Sequence, residues 1–370
     1  PITVGHEYSV LVHLPNQDRE QRWVIPLSIQ RVPSDQKGPD IGLTQLSEAV
    51  NQTDLKNYFC VNVSDTAYSQ KNWIIKINQW SHVVHLARMR GNRKLYRLPP
   101  PKSRTRCGRP RIYGEVFLLN NPSQPECEEW ITTTSRKGKK WKVTLQRWND
   151  LLAGGSKTEK THEYPFDLVR VIVKDEQGKP VYRRPLWVMI AGLRRKEISS
   201  LQAYESYSRR YDIEHFFHFG KQKLGLVGSQ TSETLHEENW HWIALLAYTM
   251  LFRGRGMARS IRYPWEKKKI SVVGTIQGPT QVQRDYERII REIGTPAPIP
   301  KPRGNPVGRK KGQLGKRRRA CSLIQKSADE DQSAETNSAR EKKKKLPRKK
   351  SSPYTRIKRI WTRKLTHSAA

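Results

Sequence analysis

Apolar and polar positions alternate through the first thirty residues. Residues 7–14 (EYSVLVHL) read as a strand, residues 16–20 as a polar turn, and residues 22–32 (RWVIPLSIQRV) as a second strand with Trp23, Ile25, Leu27 and Ile29 on one face. Pro26 has no backbone N–H to donate, which assigns that strand to a sheet edge. The period then lengthens, and Leu43, Leu46 and Val50 share one side of a helix over residues 43–50. Residues 58–63 (YFCVNV) return to a strand, with Asp65 just past its carboxyl end. A helix over 70–80 and a strand over 81–88 follow. The order β β α β α β predicts an α/β sheet.

From residue 91 to about residue 185 the pattern is β-rich. Strands are expected at 112–119, 129–134, 140–148, 166–174 and 180–190, between Pro-rich loops and with Trp130, Trp141 and Trp148 among them. This stretch reads as an insertion, and residues 186–190 return the chain to the main sheet. Ser199 and Gln202 have capping-box spacing and open a helix of about 20 residues, roughly 30 Å long. Within it YSRRYDIEHFFHFGK, residues 207–221, places Tyr207, Arg210, Glu214 and Lys221 three, four and seven apart, which sets all four on one helix face. Residues 235–252 form a further helix whose apolar side, Ile243, Leu246, Ala247 and Met250, reads as core. Beyond Thr295 the chain is rich in Pro, Lys, Arg and Ser and is expected to be disordered.

Charge narrows the partner. The 370 residues carry a net charge of +36 and a pI near 10.3. Such self-repulsion implies a polyanionic partner, nucleic acid ahead of an anionic membrane. Half of the excess lies beyond Thr295, so the tail is a basic arm and the rest is basic in its own right. No stretch has the length of a membrane span, and no amphipathic lysine-rich helix suits a membrane surface. Cys60, Cys107, Cys127 and Cys321 form no C-x-x-C pair and no zinc spacing, and read as reduced thiols of a cytosolic protein. HEENWH at 236–241 sets its histidines five apart instead of four, GGSKT at 154–158 lacks the glycine before lysine that a phosphate loop needs, and no G-x-S-x-G occurs. What remains is Asp65 at a strand end and Glu214 on a late helix, two acids that an α/β sheet can bring together. Two or three carboxylates there would hold two divalent cations, with Mg²⁺ suited to oxygen ligands. Arg210 and Lys221 would hold DNA phosphates, and Tyr207 would donate to a phosphate or stack.

Tyr207, Arg210, Glu214 and Lys221, as Y-(2)-R-(3)-E-(6)-K, resemble the signature of a large group of insertion-sequence DDE transposases. KQKLGL at 221–226 and VNVSDTAY at 61–68 are similar to the same group, and the resemblance covers roughly residues 5–255. It implies a ribonuclease-H-like mixed sheet interrupted by the β-rich insertion, cleavage of DNA at transposon ends, and joining of the freed 3′ end to a target. It further implies a two-metal site with Mg²⁺ or Mn²⁺, double-stranded DNA as partner, and self-association on DNA. Asp65 and Glu214 become the catalytic metal ligands, and Tyr207, Arg210 and Lys221 the DNA contacts. In members that pass through a hairpin, a tryptophan of the insertion holds a flipped base, a role open here to Trp130, Trp141 or Trp148.

The implied organisation is residues 1–90 for the first part of the catalytic domain, 91–185 for the insertion and 186–260 for the part with the glutamate helix. Residues 261–294 form a peripheral helical segment and 295–370 a disordered basic tail. The implied location is cytoplasmic, on DNA and off the membrane. The family's first aspartate lies on a first strand, central in a sheet of order 3-2-1-4-5. Only two strands precede the first helix here, and Asp18 and Asp35 sit in polar loops. The chain therefore reads as a transposase truncated at its N-terminus, without one strand and one ligand. The alternative is a non-catalytic nucleic-acid-binding remnant that works through its basic surface and tail.

Overall fold

The computed structural model describes residues 6–15, 22–52, 54–101, 111–134, 138–155, 159–229, 231, 233–256, 258 and 277–293. The polar turn expected at 16–20 and the basic tail lie outside these. In chain order the elements are β1 (Glu7–His13), β2 (Ile25–Val32), α1 (Gly38–Gln52), β3 (Cys60–Ser64), α2 (Lys71–Ile77), β4 (Val83–Arg88), β5 (Lys94–Tyr96) and β6 (Val116–Leu118). They continue with β7 (Cys127–Thr134), β8 (Lys140–Ala153), β9 (Phe166–Lys174), β10 (Leu186–Ala191), α3 (Ser200–Ser208), α4 (Tyr211–Lys223), α5 (Thr234–Gly254) and α6 (Pro279–Ile293).

Two sheets result. One is the β1–β2 hairpin, and the other runs β3-β4-β10-β9-β8-β5-β6 with β7 on β8. β3 and β4 are parallel, joined across α2, and the remaining pairs are antiparallel. The mixed α/β sheet expected from the sequence is present. β8 and β9 are hydrogen-bonded directly into the same sheet as β3, β4 and β10, so the stretch read as an insertion extends that sheet. β4, β9 and β10 are nearly continuous apolar runs because layers cover both their faces. On one side α3 packs over Val84, Leu86, Val143, Leu145, Val171, Val188 and Ile190. On the other, Trp148, Phe117, Phe166, Trp187 and Met189 form a second cluster that includes Ile74 of α2.

The hairpin is sandwiched in the same way. Gln45 of α1 accepts from the Ser9 hydroxyl of β1 at 2.6 Å and donates to the Ser9 carbonyl. Leu46 and Val50 of α1 also reach Trp73, Ile77 and Val83, so α1 spans both sheets. The opposite face of the hairpin meets α4 and α5 through Ile29, Phe216, Phe219 and Tyr248. Trp23 and Val24 precede β2 and are fully buried in this cluster, whereas Leu27, expected on the same face as Trp23, is 40% exposed. Pro26 sits opposite Val12, where the ladder shifts register, and β2 is an edge as its proline requires. Among the described residues, β1 pairs only with β2 and β3 only with β4, so each has an unfilled edge.

Gly192 follows β10 at φ 129, and a Cβ there would lie 2.6 Å from the Val83 carbonyl oxygen. Only glycine lets the chain leave β10 so close to the start of β4. His85 of β4 lies fully buried between the sheet and Trp73. It contacts the Asn62 amide at 2.8 Å through Nδ1 and the Tyr68 carbonyl at 3.1 Å through Nε2. Burial pushes its pKa down to about 4, only partly offset by the Tyr68 carbonyl, so the ring is neutral in the folded protein. The unfolded ring takes its proton near pH 6.5. Stability from this group is therefore intact above that pH and lost progressively as pH falls towards 4. Urea unfolding should show about 2 kcal/mol of His85-linked loss between pH 7 and pH 5, a loss that His85→Gln removes relative to the parent protein.

Candidate active site

Asp65 follows β3, and the next residues wind into a short 3₁₀ turn, Thr66–Tyr68. β3 and β4 run parallel, so Ser64 and Arg88 end side by side and their carboxyl ends open onto one crevice, the usual ligand position in such sheets. That crevice is a cavity of about 870 Å³. Asp65 and Thr66 line it, with Trp187 of β10, Asn92 and Asn120 in its wall, and its cationic groups are Arg88, Arg90, Arg170 and Arg184. Arg170 lies over the Trp187 ring at 5.5 Å, and its Nε–H has no hydrogen-bond partner among the described residues. Nothing in the sequence pattern marked these four arginines as a group. Only Arg170, set between apolar neighbours on both sides in the strand FDLVRVIVK, carried a local signal.

The helix bearing the Tyr207–Lys221 motif starts at the Ser199 N-cap. The Ser199 hydroxyl accepts from the Gln202 amide at 3.1 Å and Gln202 reaches back to the Ser199 amide at 2.9 Å, the capping box read from their spacing. The single 20-residue helix expected there is in fact two. α3 ends at Ser208, α4 begins at Tyr211, and between them the amides of Arg210, Asp212 and Ile213 bond three residues back. Arg209 donates to the Pro15 carbonyl at 2.6 Å, outside the helix, which ties this tight turn to the end of the hairpin.

The motif residues differ in burial. Tyr207 is 3% exposed and packs with the cluster under α3, while the Glu214 side chain is 54% exposed and Lys221 is exposed further along α4. Arg210 is the link. It lies 5.8 Å from the Tyr207 ring and 4.8 Å from the Tyr211 ring, and donates to Glu214 at 2.9 Å. Burial raises the Tyr207 pKa, the Asp65 charge adds to this, and Arg210 and Arg88 oppose it. The phenol therefore keeps its proton and remains a donor. Asp65 also acts on Arg210, so Asp65, Tyr207, Arg210 and Glu214 are gathered, whereas Lys221 stands about 10 Å along α4 from Glu214. Of the three tryptophans, Trp148 is fully buried with its N–H on the Ser123 carbonyl, Trp141 is half-buried, and Trp130 is 63% exposed beneath Lys142.

Asp65 and Glu214 offer oxygen donors of the kind that suits Mg²⁺. Among the described residues no three His, Cys, Asp or Glu side chains gather to hold a metal. Two carboxylates suit one Mg²⁺ that is shared with phosphate oxygens. Arg210 holds Glu214 at 2.9 Å, so a cation bound there would have to displace that partner. A second ion needs a further acid.

A larger ionic cluster anchors α3. Asp167 of β9 has no exposure. It accepts from Arg147 at 2.5 Å, from the Asp150 amide and Lys196 at 3.1 Å, and from Arg195 Nε at 3.2 Å. Arg147 also donates to the Ile198 carbonyl at 2.6 Å, one residue before the N-cap. Asp150 occupies the β8 bulge at φ 53. Burial pushes its carboxyl up, but Arg195 and Lys196 outweigh this and hold it below the usual range. Asp167→Ala leaves buried cations without their partner and should cost about 3–5 kcal/mol in urea unfolding. A loss under 1 kcal/mol would show that the cluster does not anchor the fold.

No curated protein matches the chain. The family model for the transposase DDE domain matches residues 42–250, more than half of the chain, across α1, the Asp65 strand, the full sheet and both parts of the broken helix. With its strand-end aspartate and its helix-borne glutamate in that span, the chain belongs to the DDE transposase family.

Proposed function

We infer that this chain acts on the DNA ends of an insertion element of the Y-(2)-R-(3)-E-(6)-K group, cutting them and transferring the freed 3′ end to a target. The observation that carries this reading is the pairing of Asp65 with an arginine-lined cavity at the carboxyl ends of β3 and β4, beside Arg210 and Glu214. Asp65 and Glu214 are the metal ligands. A bound Mg²⁺ or Mn²⁺ would activate the attacking oxygen and stabilise the leaving one. Arg88, Arg90 and Arg184 take backbone phosphates, and Arg210 forks onto a phosphate once Glu214 is released. Tyr207 donates from a site that holds its proton in place, and Lys221 contacts the duplex further along α4.

The remaining carboxylate of the site comes from a further strand that pairs with the open edges of β1 and β3. Three features support this: both edges lack a partner among the described residues, α1 roofs both sheets, and the Ser9 hydroxyl of β1 reaches the Tyr68 phenol beyond β3. While that edge of β3 stays open, alternate β3 amides should exchange with solvent unprotected. Uniform protection of residues 60–64 would mean that the edge is already paired.

The catalytic reading and the binding-remnant reading differ over metal chemistry. Plasmid or end-bearing duplex should be nicked with Mg²⁺, and Asp65→Asn or Glu214→Gln should reduce this by at least about 100-fold while DNA affinity changes less than about two-fold. Arg88→Ala and Arg184→Ala should each lower the slope of log affinity against log salt by about 1. Salt-steep binding without any metal-dependent nicking would favour the non-catalytic reading.

A further inference from the structure

The strands β7, β8 and β9 present two unlike faces. On one, Val143, Leu145, Val171 and Val173 are buried in the cluster under α3, with Ile131 packed against it. The residues between them point the other way. Register sets Lys142 opposite both Thr132 and Lys174, Thr144 opposite Trp130, and Gln146 opposite both Glu128 and Arg170. Residues directly opposite share a face. On this second face Trp130, Lys142 and Lys174 are exposed, and Gln146 and Arg170 are half-buried.

The face begins at the cavity. Arg170 lines that cavity and lies opposite Trp187 of β10. From Arg170 the face runs about 13 Å along β9 to Lys174, and two strand spacings, about 10 Å, across to β7. Lys142 stands 4.6 Å from the centre of the Trp130 ring, which is 63% exposed. Lys142, Lys174 and Arg170 have no carboxylate at ion-pair distance among the described residues. The acid on this face, Glu128, accepts from the Gln146 side-chain amide at 2.7 Å.

We propose that this face binds a single strand of DNA, which leaves the cavity past Arg170 and crosses β9 and β8 to Trp130. Arg170, Lys142 and Lys174 take its phosphates, and the open side of the Trp130 ring stacks on a base. The exposed ring chooses this partner. In a duplex the bases are stacked on one another, so a flat exposed indole meets no free base face, whereas a single strand offers one at every nucleotide. An open sheet with a surface aromatic takes about two or three bases in this way. Trp130 does not line the cavity, so this contact is separate from any base held beside Asp65. The path of the strand rests on the DNA reading of the cavity, but the binding itself needs neither metal nor catalysis.

The test uses the full chain in EDTA. A single strand of about 12 nucleotides carrying iododeoxyuridine, and the matching duplex, are crosslinked to it by light, and the joined residues are identified by mass spectrometry. The single strand should join at Trp130 and the duplex should not. Trp130→Phe should keep the crosslink at that position and Trp130→Ala should lose it. Lys142→Ala combined with Lys174→Ala should lower the yield at Trp130 at least about five-fold. Crosslinks confined to residues outside β7, β8 and β9 overturn the proposal, as does a duplex that joins at Trp130 as well as the single strand. Nicking that fails while the Trp130 crosslink persists removes the catalytic reading alone. Intact nicking without that crosslink removes this one alone.

Discussion

One fully buried carboxylate holds the sheet to the helices that carry the site. Asp167 on β9 is saturated by Arg147, Arg195, Lys196 and the Asp150 amide, and Arg147 extends the link to the carbonyl just before the α3 N-cap. An isolated charge in that position would be very costly, and the fold tolerates it because every acceptor direction is filled. Its consequence is positional. With the start of α3 fixed to the β8 bulge, the helix crosses the sheet over Val188, Ile190 and Leu86 and delivers Tyr207 beside the carboxyl ends of β3 and β4. The second anchor, Arg209 on the Pro15 carbonyl, ties the junction of α3 and α4 to the end of the hairpin. Glu214 takes its place relative to Asp65 from these two fixed points.

Around Asp65 the electrostatics favour an anionic ligand. Arg88, Arg90, Arg170 and Arg184 line one cavity with it, and Arg210 stands between it and Glu214. Arg210 also keeps a buried Nε–H without a partner among the described residues, a donor that a phosphate oxygen would satisfy. The same guanidinium restrains Glu214, so the acid is held ready and not fully committed. The membership in the DDE transposase family and this charge arrangement agree on DNA as the substrate.

Where apolar periodicity is strong, the chain was legible. β1, β4, β9 and β10, helix α1 and the Ser199 capping box all follow from local pattern, because each shows itself in contacts within a few residues, in an apolar run or in an apolar face. Pro26 likewise announced an edge. Misreadings arose where two elements compete for one pattern. The motif from Tyr207 to Lys221 has unbroken helical spacing, yet the chain tightens to three-residue bonds at Arg210, Asp212 and Ile213, where the Arg209 side chain is held by the distant Pro15 carbonyl, and the helix becomes two. The row Ile243, Leu246 and Met250 looks like core, yet it is exposed on α5, because apolar spacing states only that a face is apolar, not what covers it. Trp130, Trp141 and Trp148 are alike in sequence and differ from exposed to fully buried, since strand position decides which face meets a layer.

By itself the sequence determined the chemistry on offer: a polyanion partner from its charge, a strand-end aspartate, a helix-borne glutamate with its arginine, tyrosine and lysine, and an α/β order to carry them. These are properties of composition and short-range periodicity. Tertiary structure alone decided which arginines converge on Asp65, that Tyr207 turns inward while Glu214 faces out, and that β1 and β3 each keep an open edge. It also decided that α5 leaves an apolar row in solvent. All of these depend on contacts between residues far apart in the chain, whose partners no local pattern names.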